Sequence, residues 1–159
     1  MAAPAAAEGS LVPLMGACEA AVAAEDVAPL EAVTPMRLQG ETWIGEAGGL
    51  TVLFTPPVDA MYAVAGLTPA TCSILAWADD GETLVPWSDV APVVAGWARG
   101  LSPDAQGSYL REVCDGPGAA YVAVAGPDRG GYAGIGELDP PAVRMEVAGI
   151  GAEECGHAD

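Results

Sequence analysis

The chain has 159 residues, 52% of them apolar, and a formal charge of −17 at pH 7. This length suits one domain with one core, which would bury roughly two-thirds of the surface that the unfolded chain exposes. The negative charge repels phosphate backbones and anionic membrane surfaces, so nucleic-acid binding is not expected, whereas basic partners are compatible with it. Because no apolar run approaches the ~20 residues of a membrane-spanning helix, we expect a soluble protein without membrane insertion.

The first residues are rich in Ala and Pro. We interpret residues 1–12 as a flexible leader, typical either of the start of a mature secreted chain or of a native flexible arm. A single domain would then occupy residues 13–152, followed by an acidic tail at 153–159. Helical spacing of apolar residues predicts a first helix, with Cys18 on its inward face; the residues that define this face are Leu14, Cys18, Ala21 and Val22.

The sequence Asp-Val-Ala-Pro occurs twice, at residues 26–29 and 89–92. An Asp at a helix start accepts hydrogen bonds from the free backbone N–H groups, and a Pro in the first turn loses no bond. Both copies therefore predict helix N-termini, and the second helix would bury Val90, Val93, Val94 and Trp97 before ending at Gly100. Since the residues around the two copies do not match, a tandem repeat is not predicted.

Between and after the predicted helices lie short runs rich in β-branched residues. In the clearest run, Leu50, Val52 and Phe54 alternate with Thr51, Leu53 and Thr55, and Cys72 of a later run would also point inward. We expect strands at 37–44 and 50–55, joined by a hairpin turn at 46–49, and at 61–65, 71–77, 109–114, 121–125 and 143–147. This order predicts an α+β fold, with an antiparallel sheet of about five to seven strands and two helices packed on one face.

Four cysteines, Cys18, Cys72, Cys114 and Cys155, are too widely spaced for a zinc ribbon or a C-x-x-C redox motif. Of the three possible pairings we predict Cys18–Cys72, which would join the first helix to the sheet, and Cys114–Cys155, which would fasten the tail. Two disulfides indicate an oxidising compartment, hence the periplasm or a secreted protein. The alternative is four buried free thiols in a cytoplasmic protein.

Few residues favour catalysis or metal binding. The only histidine, His157, lies near the chain end, so no nucleophile–base pair is predicted and no catalytic residue is assigned. The tail has the ligand types of a zinc or copper site, but a disulfide at Cys155 would remove the best ligand; these residues are Glu153, Glu154, Cys155, His157 and Asp159. A glycine-rich loop at 126–136 precedes no helix, so it predicts a mobile loop that could serve as a contact surface, and not a phosphate site. We therefore expect neither a cofactor nor a metal.

The candidate contact surface is a polar turn flanked by two tryptophans: Trp77, Asp79, Asp80, Glu82 and Trp87. We expect a non-catalytic extracytoplasmic domain that binds a protein partner or contributes to an envelope or surface structure. Two alternatives remain open. One is a small hydrolase that uses the carboxylates of this turn beside the tryptophans, and the other is a weak metal-binding protein that uses the tail.

Overall fold

The fold is taken from a computed structural model, which describes residues 4–59, 67–76, 84–114, 120–128 and 141–150. In these ranges the helices are α1 (Pro4–Ala24), α2 (Ala28–Glu31) and α3 (Trp87–Trp97). The strands are β1 (Met36–Gln39), β2 (Thr42–Ala47), β3 (Leu50–Thr55), β4 (Val58–Asp59), β5 (Leu67–Thr68), β6 (Thr71–Leu75), β7 (Tyr109–Cys114), β8 (Ala120–Asp128) and β9 (Ala142–Gly149).

Seven strands form one sheet in the order β1-β2-β3-β6-β9-β8-β7, and every neighbouring pair is antiparallel. Strands β4 and β5 form a separate two-stranded pair. The α+β class with an antiparallel sheet is thus confirmed. Strand β9, the last described strand along the chain, lies between β6 and β8.

The described core is one cluster of buried side chains contributed by the helices and the seven-stranded sheet. Strand pairing places Val52, Ile74 and Met145 in one row across β3, β6 and β9, and all three are buried. Helix α1 contacts β3, β6, β8 and β9, while α3 contacts α1, β8 and β9. The predicted alternation of buried residues in these strands is therefore confirmed.

A disulfide joins Cys18 of α1 to Cys72 of β6, with the two Cα atoms 5.6 Å apart. This confirms the first predicted pairing. Cys114, at the end of β7, is not a free thiol. Its predicted partner, Cys155, lies outside the described residues, so the second bridge stays a prediction.

Helix α1 is longer than the predicted first helix. It begins at Pro4, within the segment interpreted as a flexible leader, and Leu11 is fully buried. The reason is that Leu11 lies three residues before Leu14 and seven before Cys18, on the same inward face. The helix ends at Glu25, whose φ of 56° is left-handed. The Asp26 N–H donates to the Ala21 carbonyl (3.0 Å) and the Glu25 N–H to the Val22 carbonyl (3.2 Å), which is a Schellman motif.

The two Asp-Val-Ala-Pro copies begin helices differently. Asp26 accepts the predicted hydrogen bond from the Ala28 N–H (2.9 Å) at the start of α2, although the N-cap is Val27, one residue later than predicted. The predicted start of the second helix at Asp89 was wrong, because α3 begins at Trp87, and Asp89 lies within the first turn. A tertiary hydrogen bond accompanies this earlier start of α3: the Trp87 N–H donates to the carbonyl of Pro141 (2.8 Å).

Glycines set two turns that shape the first half of the sheet. The run at 37–44 is two strands and not one, because the chain reverses at Gly40, where φ is 63°. The predicted hairpin turn between β2 and β3 is confirmed, with Gly48 and Gly49 both at positive φ, the signature of a type I′ turn. The start of the predicted glycine-rich loop, residues 126–128, belongs to β8. The predicted strand at 61–65 lies outside the described residues.

Candidate functional site

The contact surface predicted from the sequence is described only in part. Trp87 opens α3 and packs half-buried against the core. Four of its members, Trp77, Asp79, Asp80 and Glu82, lie outside the described residues, as does the tail from residue 151. Within the described ranges no group of three or more His, Cys, Asp or Glu side chains could hold a metal ion.

A buried carboxylate, Glu19 of α1, organises one end of the core and is only 8% exposed. Its Oε1 accepts hydrogen bonds from the Tyr121 hydroxyl (3.0 Å) and from Arg111 Nη1 (3.0 Å). Its Oε2 accepts a hydrogen bond from Trp97 Nε1 (2.8 Å). Three donors therefore satisfy a charge that would otherwise be costly to bury.

Arg111 connects this carboxylate to α3. Its Nη2 donates to the backbone carbonyl of Trp97 at the end of that helix. The guanidinium carbon lies 4.2 Å from the centroid of the Trp97 ring, a cation–π arrangement. The four side chains thus join α1, α3, β7 and β8, and they fix the Trp97 ring in one orientation.

This network was not predicted from the sequence. The three side chains that donate to Glu19 lie 78 to 102 residues from it along the chain, and no short motif marks such pairs. One local signal was present. Glu19 lies four residues after Met15 and three before Val22, so a charged residue falls on the apolar face of α1, where it requires buried partners.

An open groove lies between α1 and α3 and includes Trp97 in its lining. It has a cavity volume of about 390 Å³ and is lined by Val12, Met15, Gly16, Pro92, Val93, Gly96, Trp97 and Arg99. Val12 is 60% exposed, the largest value among the exposed large apolar side chains of the described residues. The lining is otherwise apolar except for Arg99 at its edge.

Two helical glycines keep this groove open. A Cβ built on Gly16 of α1 or on Gly96 of α3 would meet no atom within 4 Å. A glycine inside a helix costs about 1 kcal/mol relative to alanine, and neither close packing nor a positive φ requires glycine here. The structural result of both glycines is space between the helices.

A second, smaller hollow on the sheet is a weaker candidate. It has a volume of about 130 Å³ and includes Arg144, Asp128 and Glu146. Arg144 forms ion pairs with Asp128 (3.2 Å) and Glu146 (2.5 Å), and the hydrogen bond that it donates to the Glu146 carboxylate raises the pKa of the guanidinium. Because both carboxylates are paired with this cation, the hollow offers an anionic ligand no free guanidinium. The α1–α3 groove is therefore the candidate site.

None of the described helices has the length and apolar character needed to cross a membrane. Comparison of the chain with protein-family models, with curated proteins and with solved structures finds no match.

Proposed function

We propose that this protein is a non-catalytic extracytoplasmic domain that binds a protein partner in the α1–α3 groove. The observation that carries the proposal is the groove itself, which exposes apolar side chains to solvent beside a Trp97 ring held in place by Glu19 and Arg111. Its volume of about 390 Å³ lies near the lower end of the ~300–1,000 Å³ range of small-molecule pockets. The Cys18–Cys72 disulfide supports the extracytoplasmic assignment.

The groove suits an apolar side chain presented by a partner segment. Amphipathic helices bind in this manner, with their apolar face in a hydrophobic groove. The chain as a whole carries 22 acidic and five basic residues. A partner with basic residues around its apolar anchor would therefore be attracted at long range.

The described residues give little support to catalysis. Glu19 is the buried carboxylate of the described core, and three hydrogen-bond donors occupy its two oxygens. A carboxylate bonded in this way is poorly placed to exchange a proton with a substrate. The hydrolase alternative concerns Asp79, Asp80 and Glu82, which lie outside the described residues.

The test uses the full oxidised chain and a synthetic amphipathic peptide with a leucine face and lysine flanks, measured by titration calorimetry. Gly96→Leu should abolish binding, because the new side chain fills the groove. Val12→Ser should weaken binding, whereas Leu110→Ser, which changes an equally exposed residue on β7, should not. Thermal melts of each variant verify folding.

Two results would contradict this proposal. One is equal binding of the peptide by the wild type and the folded Gly96→Leu variant. The other is the absence of peptide binding to the wild type at both low and high salt.

A further inference from the structure

We propose that the partner segment places one carboxylate against Arg99, next to the apolar side chain that occupies the groove. This inference rests on the proposed function and names the chemistry that the groove selects. The occupant is a peptide segment that is basic overall, with an apolar anchor and a single acidic residue close to it.

The first step concerns the exposure and the ion pairing of Arg99. It lies directly after Ala98, where α3 ends, and its side chain is exposed at the groove edge. Arg111 and Arg144 are each paired with carboxylates. Within the described ranges, Arg99 takes part in no ion pair. In a chain with 22 acidic residues and five arginines, an arginine without a carboxylate partner among the described residues departs from what the composition leads one to expect.

The second step is the position of this cation. Arg99 shares the lining of the groove with Trp97 and Val93, so an apolar side chain that enters there lies beside a guanidinium. A guanidinium presents a planar set of donors that matches the two oxygens of a carboxylate. The complementary ligand therefore combines an apolar group with a nearby carboxylate.

The third step reconciles this with the overall charge of −17. At physiological ionic strength the Debye length is about 8 Å, so a carboxylate in contact with Arg99 is affected mainly by that guanidinium. The remaining surface still attracts basic residues. An isolated acidic residue in a basic segment would thus fix the register in which the segment binds.

The experiment compares peptides that differ at one position. The amphipathic peptide described above is made with Glu, or with Gln, at each of four successive positions after the central leucine. Each pair is titrated against the wild type, Arg99→Gln and Arg99→Glu. The control is Arg37→Gln, which removes an exposed arginine of β1 outside the groove.

For one of the four peptide positions, the wild type and Arg37→Gln should bind the Glu peptide about two- to five-fold more tightly than the Gln peptide, as expected for an exposed ion pair. Arg99→Gln should bind both peptides equally. Arg99→Glu should reverse the preference.

Three outcomes would overturn the proposal. The first is equal binding of the Glu and Gln peptides by the wild type at every position, and the second is a preference for the Glu peptide that persists in Arg99→Gln. The third is a wild-type dimer, detected by sedimentation, that Gly96→Leu dissociates, since a second copy of the chain would then occupy the groove. If Gly96→Leu abolishes peptide binding while Glu and Gln peptides bind equally, the Arg99 pairing fails and the groove remains the binding surface. If Gly96→Leu leaves peptide binding unchanged, both fail.

Discussion

Glu25 ends α1 with a φ of 56°, at the position of the Schellman motif that glycine usually occupies. The left-handed conformation costs an L-residue with a Cβ about 1–2 kcal/mol. We expect Glu25→Gly to raise the free energy of unfolding by about 1 kcal/mol, since part of the gain is lost to the greater freedom of glycine in the unfolded chain. Urea unfolding measures this change. Glu25→Ala is the matched control and should give no gain, because it keeps the Cβ.

Glu19 is the acceptor for three donors, so its removal should be far more damaging than that of an exposed carboxylate. Glu19→Ala leaves Arg111, Trp97 and Tyr121 without their acceptor. We expect the free energy of unfolding to fall by about 3 kcal/mol. This is the lower end of the range for breaking a buried ion pair, because Arg111 is partly exposed. The double variant Glu19→Met/Arg111→Met should lose less than the sum of its single changes. A loss below about 1 kcal/mol for Glu19→Ala would contradict the structural role of this network.

At the scale of the elements, the Cys18–Cys72 bridge joins α1 to the middle of the sheet and spans 54 residues of chain. A loop of this length corresponds to about 4 kcal/mol in the chain-entropy estimate. We expect the double variant Cys18→Ala/Cys72→Ala to lose stability of that order in urea unfolding. Reductant should lower the melting temperature of the wild type much more than that of the double variant. If reductant lowered the melting temperatures of the two proteins equally, the Cys18–Cys72 bridge would not be the source of the stabilisation.

Most elements could be predicted from the sequence where the periodicity is strict. The alternation in β3 and the helical spacing that places Cys18 inward both depend on residues close together in the chain, and both are confirmed. The start of α3 was predicted at the wrong residue because a tertiary hydrogen bond from Trp87 decides it. The groove could not be predicted, since it depends on how α1 and α3 lie against each other.

At the scale of the whole molecule, the formal charge of −17 should destabilise the compact state through repulsion among carboxylates. Salt shortens the Debye length from about 30 Å at 0.01 M to about 8 Å at 0.15 M. We therefore expect the melting temperature at pH 7 to rise over this range of sodium chloride. Potassium chloride should give the same rise, because screening does not depend on the monovalent cation. A melting temperature independent of salt would contradict this expectation.

The central position of β9 has a consequence for the order in which the protein can fold during synthesis. The strands β1, β2, β3 and β6 can pair as they emerge, but among the described strands β6 and β8 are joined only through β9, which is made after them. Until then β6 presents an open edge of unpaired backbone groups, the feature by which nascent chains associate with one another. Chain termination before residue 142 would leave this edge permanently exposed. We therefore expect chains that end before residue 142 to aggregate more readily than the chain that includes β9.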